Sequence, residues 1–148
     1  MPAEPLVLAN SWPVWERGRH FEFGHVLSSL VTDALDPGAV GALAPHHAGL
    51  WECDVCDNSL VWSGGVYDIF GLPRGTKVSR EEVVALYCED SRAKMERLRS
   101  YSLKHRRGFT LDVEIRAAVG EQRWMRLIGI PVCAGDKVTG LQGIKLVI

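Results

Sequence analysis

The chain has no apolar run near the ~20 residues that a membrane-crossing helix needs. Its start, Met1-Pro2-Ala3-Glu4-Pro5, lacks the basic stretch and apolar centre of a secretory leader. Both absences point to a cytoplasmic protein. Neither sign of charge is in excess: 17 Lys and Arg stand against 18 Asp and Glu, for a net charge of -1. Nothing electrostatic therefore argues for nucleic acid or a membrane surface as partner. The one basic cluster, Lys104-His105-Arg106-Arg107, reads as a helix end.

Cysteine is also scarce. Cys53, Cys56, Cys88 and Cys133 are the four in the chain, and in a reducing compartment they stay free thiols acting as small buried hydrophobes. Cys53-Asp54-Val55-Cys56 has C-x-x-C spacing, but a redox pair needs its first thiol at a helix start, whereas this one straddles a strand and a turn. A zinc site needs a second ligand pair, and His46 and His47 are the only candidates nearby, so zinc is not expected. Internal repeats and low-complexity segments are absent as well. No nucleophile with a placed base, and no paired carboxylates in an apolar setting, can be picked out. Asp112 and Glu114 alternate on a wet strand face, and His20 and His25 lie off the apolar stripe of the nearest helix.

What is present is enough apolar sequence, 47% of 148 residues, for one real core. Residues 1 to 19 hold three prolines, two tryptophans and no periodicity, which predicts an arm that orders by packing, with Trp12 and Trp15 as anchors. Phe23, Val26, Leu27, Leu30, Val31, Ala34 and Leu35 then form one broad apolar helical stripe, which Asp36-Pro37-Gly38 ends; a short second helix runs on through Leu43. A hairpin follows, with strands around Trp51-Cys53 and Leu60-Trp62 joined by an Asp57-Asn58 turn. Three short helices come next. The first is ended by Gly71, the second is opened by the capping box Ser79-Arg80-Glu81-Glu82, and the third begins near Asp90 or Ser91 and stops at Gly108.

From Phe109 the period changes to two. Phe109, Leu111, Val113 and Ile115 point one way, while Thr110, Asp112, Glu114 and Arg116 point the other. Two Gly turns, at Gly120 and Gly135, separate three antiparallel strands. The middle strand is apolar on both faces, with Met125 and Leu127 opposite Trp124, Ile128 and Ile130. Its second face needs a cover, and the amino-terminal helix is built to supply one. The expected fold is α+β: a five-stranded antiparallel sheet, inserted helices on one face and the amphipathic helix on the other.

That order resembles the PAS domain of bacterial signalling proteins, the PAS/PAC sensory box. The residues that carry the resemblance are Gly49 to Asp54, Leu60 to Ser63, Ile69-Phe70-Gly71, Phe109 to Arg116, Arg123 to Arg126, Gly129 to Val132 and Gly140 to Gly143. It departs from the family pattern at Tyr87-Cys88-Glu89-Asp90-Ser91-Arg92, where relatives carry a His-Pro-acidic-acidic-Arg turn, and at Lys145 to Val147, where they carry an Asp. The likeness implies a PAS-like unit over residues 49–148, preceded by an arm and helix over 1–48.

It also implies a cavity between the inner sheet face and the inserted helices. Alternation and helix faces nominate Ile69, Phe70, Val84, Met95, Leu98, Val113, Ile115, Met125, Leu127 and Ile144 as its walls; the bland reading is that the same ten fill a close-packed core. The residues argue against the family's cofactors. No Asn-Cys-Arg-Phe-Leu-Gln run is present for a flavin adduct, and Lys145 stands about where a last-strand Gln would contact the flavin. The one imidazole suited to haem, His105, sits among basic residues at a helix end.

The function expected is a non-catalytic sensory or interaction domain, a homodimer through Phe23, Val26, Leu27, Leu30, Val31 and Leu35 and the outer-face residues Trp124, Ile128 and Ile130. Its ligand is unknown, and its effector is a histidine kinase, a cyclic-dinucleotide enzyme or a transcription factor. The alternatives are a small α+β hydrolase or isomerase and a binder without signalling output.

Overall fold

The structure is a computed structural model that describes residues 10–20, 41, 43 and 47–148. The expected helix from Phe23 to Leu35, with Val26, Leu27, Leu30 and Val31, lies outside the described residues. The elements, in chain order, are β1 (Ser11–Pro13), a 3-10 turn, α1 (Arg17–His20), β2 (Ala48–Asp54), β3 (Leu60–Trp62), α2 (Gly64–Phe70), α3 (Arg80–Val84), α4 (Glu89–His105), β4 (Arg107–Arg116), β5 (Gln122–Ala134) and β6 (Lys137–Val147).

The strands form one antiparallel sheet in the order β1-β4-β5-β6-β2-β3. It has six strands where five were expected, because the amino-terminal arm contributes β1 to the β4 edge. Trp12 is the reason. Its ring is 4% exposed and lies over Gly108, where any Cβ would overlap it, and its indole N–H donates to Thr110 Oγ1 at 3.0 Å. Arg107 Nε adds a bond to Ser11 Oγ at 2.7 Å. Trp15, the other expected anchor, is 80% exposed and anchors nothing among the described residues.

Gly108 therefore serves packing and does not end the preceding helix. That role falls to Arg106, which takes the left-handed conformation (φ 54°, ψ 52°) while its amide donates to the Ser102 carbonyl. The capping box at Ser79 forms with both of its bonds, and Gly71 closes α2 in the left-handed region. In the first turn of α4, Arg92 donates to the carbonyls of Val84 and Tyr87 at 3.1 and 2.9 Å, and Ser91 Oγ accepts the Glu114 amide at 2.8 Å. Those bonds fasten the helical layer to β4.

The sheet separates two cores. Trp51, Trp62, Phe70, Phe109, Leu111 and Met125 belong to the inner one, under α2, α3 and α4. Trp12, Leu43, Ala48, Leu50, Ile128, Ile130 and Ile144 form the outer one. The cysteines divide as well: Cys53 is buried, Cys88 half-buried, and Cys56 and Cys133 are exposed, so the last two are not the buried hydrophobes expected of them.

Candidate functional site

Strand parity decides what faces the helices. Register pairs Met125 with Val147, Leu127 with Lys145 and Pro131 with Leu141, so the inner face of β6 carries Leu141, Lys145 and Val147. Ile144 is one residue out of phase. It was expected on the inner wall and instead packs in the outer core beside Ile128 and Leu50. In its place the inner face receives a lysine, 6% exposed.

Lys145 Nζ lies 5.3 Å from the ring centre of Trp51, 5.5 Å from that of Trp62 and 5.0 Å from that of Phe70. Trp62 and Phe70 stack at 5.1 Å, and Tyr67 meets Trp62 edge-on. The ammonium thus sits in a box of π faces contributed by β2, β3 and α2. It makes no hydrogen bond or ion pair among the described residues. Burial brings its pKa from 10.5 down to about 7, against a smaller opposing effect of Cys53 and with a further lowering by Arg80. Two more donors nearby are unmatched: the indole N–H groups of Trp51 and Trp62 are buried without an acceptor among the described residues.

Lys145 and Trp51 line a chamber of about 50 Å³ with Cys53, Leu60, Arg80, Val83, Val84, Tyr87, Met95, Arg99, Phe109, Leu127 and Leu141. Gly129 keeps room for the Trp51 ring, since a Cβ there would come within 2.9 Å of it. Of the expected wall residues, Val84, Met95 and Leu127 reach the chamber. Ile69, Phe70, Leu98, Val113, Ile115 and Met125 are buried in the surrounding inner core. On the outer face Ile128 and Ile130 are each 3% exposed, and Trp124 is 51% exposed.

At the chamber mouth Arg80 pairs with Glu96, and Arg99 Nη2 donates to Asn58 Oδ1 at 3.2 Å. Burial pushes the Tyr87 hydroxyl pKa upward, so it stays neutral. A larger groove of about 490 Å³, no more open to solvent than the chamber, runs past His47, Gly64, Asp68, Arg74 and Arg123. Its charged groups are already engaged: Arg74 holds Asp68 at 2.6 Å, and Arg123 donates to the Asp68 and Ile69 carbonyls. The smaller chamber, with its unmatched cation, is the better candidate site.

A flavin or haem does not fit this chamber. Pockets for ligands of that size run to about 300–1,000 Å³, while here the Lys145 side chain fills the space beside the rings. Cys53, the one cysteine at the wall, is on a strand, and His105 is exposed on α4, against Tyr101.

No family model matches the sequence, and no curated protein matches it. Solved structures do. A sensory box histidine kinase/response regulator from Burkholderia thailandensis superposes with a TM-score of 0.61 at 19% identity, over 72% of this chain and 81% of that one. The N-terminal domain of a diguanylate cyclase with PAS/PAC sensor from Marinobacter aquaeolei gives 0.62 at 15% identity, over 68% and 94%. A light-oxygen-voltage domain of a blue-light activated histidine kinase from Erythrobacter litoralis gives 0.54 at 20%, over 67% and 94%. The chain has the PAS fold.

Proposed function

We propose that the chain is a non-catalytic sensory domain whose input is a small molecule held between the inner sheet face and α2, α3 and α4. The observation that carries the reading is the chamber itself: a PAS-fold interior that retains free volume and an ammonium with no anionic partner. An interior with no ligand role has every reason to pack that space with an aliphatic side chain. The output goes to an effector in cis or in trans. A kinase or a cyclic-dinucleotide enzyme suits it best, since similar structures are parts of such proteins.

The unit that senses spans residues 49–148, and residues 1–48 cover the outer face and form a homodimer there. The half-exposed Trp124, with Ile148 exposed beside it at the same end of the sheet, supports that placement. The direct test of the input site is xenon pressurisation followed by amide NMR. Shifts confined to Met95, Leu127, Leu141 and their neighbours are the expected result; an unperturbed inner core under xenon would count against any ligand role for the chamber.

A further inference from the structure

We infer that the ligand is a small monocarboxylate, its head accepting hydrogen bonds from Lys145 Nζ and the Trp51 indole and its alkyl part lying along the aliphatic wall. This rests on the chamber being the input site and goes on to name the chemical class of what enters it.

The charge of the wall comes first. Arg80, Arg99 and Lys145 are its charged members, and all three are cations; no Asp or Glu lines the chamber among the described residues. The two arginines are at the rim and have partners there in Glu96 and Asn58. Lys145 has none, and it is the most deeply buried of the three. Three aromatic faces soften the loss of its hydration but offer no lone pair.

Hydrogen-bonding capacity points the same way. The Lys145 ammonium and the Trp51 indole N–H on the wall are donors only, and that indole, like the one of Trp62 outside the wall, is buried with no acceptor among the described residues. Water is a poor answer to such a wall, because beside the ammonium its own hydrogens would find just the Tyr87 hydroxyl and the weakly accepting sulfurs of Cys53 and Met95 as side-chain acceptors. An ionised carboxylate is acceptor-only and has about four lone-pair sites. Its single negative charge matches the single unpaired cation, where a dianion would bury charge without compensation.

Size sets the rest. A volume of about 50 Å³ corresponds to roughly three to five waters at 10–15 Å³ each, which suits an acid of about four to six heavy atoms. Leu60, Val84, Met95 and Leu141 give its tail an apolar bed. Phenylalanine-sized acids are too large without movement of α3.

The test is calorimetric titration of the full chain at pH 7.5 with butyrate, butyramide and inorganic phosphate, each in two buffers of different ionisation heat. Butyrate is expected to bind at least tenfold more tightly than its isosteric amide and to take up protons as it returns Lys145 to the ammonium. Lys145→Met should abolish that uptake and weaken butyrate at least tenfold; the proton uptake of the unaltered chain stands even if the variant folds poorly. Equal binding of butyramide, or phosphate binding as tightly as butyrate, would overturn the carboxylate assignment. If xenon enters the chamber and butyrate does not bind, the input site survives and its acid ligand is refuted. If neither binds, both readings fall together.

Discussion

Lys145 shows how one residue can set the chemistry of a sheet face. Its native pKa of about 7 lies below the value of 10.5 it has in an unfolded chain, because burial disfavours the charged form. Between those two pH values the unfolded state binds more protons than the native one, so stability rises with pH there. The penalty is full below pH 7 and fades as pH approaches 10.5. Around the ammonium stand Cys53 from β2, Arg80 from α3 and Tyr87; Tyr87 stays neutral through this window. Lys145→Met should remove the penalty and stabilise the fold at pH 7 by about 2 kcal/mol. In thermal melts the advantage of the variant over the unaltered chain should shrink from pH 7 to pH 9. A constant difference across that range would mean that Lys145 is solvated in the native state.

The sequence hid this residue for a definite reason. Ile144 looks like the inward member of the Ile144-Lys145 pair if only one face of β6 is dry, but both faces are covered here, and hydrophobicity cannot then tell them apart. Parity counted from the turn misleads too: the Ala134–Lys137 pairing carried along the hairpin sets Leu127 opposite Ile144, and the irregularity between Val132 and Cys133 moves its partner to Lys145. The box around it was not legible, since Trp51, Trp62 and Phe70 come from three elements that sheet order and the α2 crossing bring together.

Among the elements, the three-residue strand β1 has the largest consequence for its size. A strand of three residues has too few ladder bonds to stay by itself, so its place depends on Trp12 in the outer core. Trp12→Ala should cost about 3 kcal/mol, in the range for deleting a buried aromatic. It should also speed hydrogen exchange of the Thr110 amide, which donates to the Asn10 carbonyl at 3.0 Å. The Lys145 chamber lies on the other side of the sheet, so the pH dependence of stability should be unchanged; a variant that also altered it would show that the two cores are coupled. Most other elements were readable. The turn at Gly135, the capping box at Ser79 and the face of α4 carrying Met95, Leu98 and Ser102 all follow from local rules. The end of α4 was misplaced because Gly108 suits a helix stop and a close approach to an aromatic ring equally well, and a single chain segment does not contain Trp12.

At the scale of the whole molecule, the sheet has to hide two apolar faces at once. The inner face is closed by α2, α3 and α4. On the outer face Ile128 and Ile130 are buried within one chain, while Trp124 is half exposed. A second copy meeting that end through the stripe from Phe23 to Leu35 is the proposed arrangement. Leu27→Glu together with Leu30→Glu should convert a dimer to a folded monomer in light scattering, with the Lys145 pH dependence intact. An unchanged dimer would place the interface elsewhere. No described helix is long and apolar enough to cross a membrane.

The sequence by itself determined the class of fold. Period-two alternation, Gly turns, a capping box and the order of elements are local signals, and local rules suffice to read them. Tertiary structure alone decided which face each strand of the doubly covered sheet turns inward, that the arm joins as a sixth strand, and that a lysine rather than an isoleucine enters the chamber. Each of those depends on register between segments far apart in the chain, and a shift of one residue exchanges every inward side chain for an outward one.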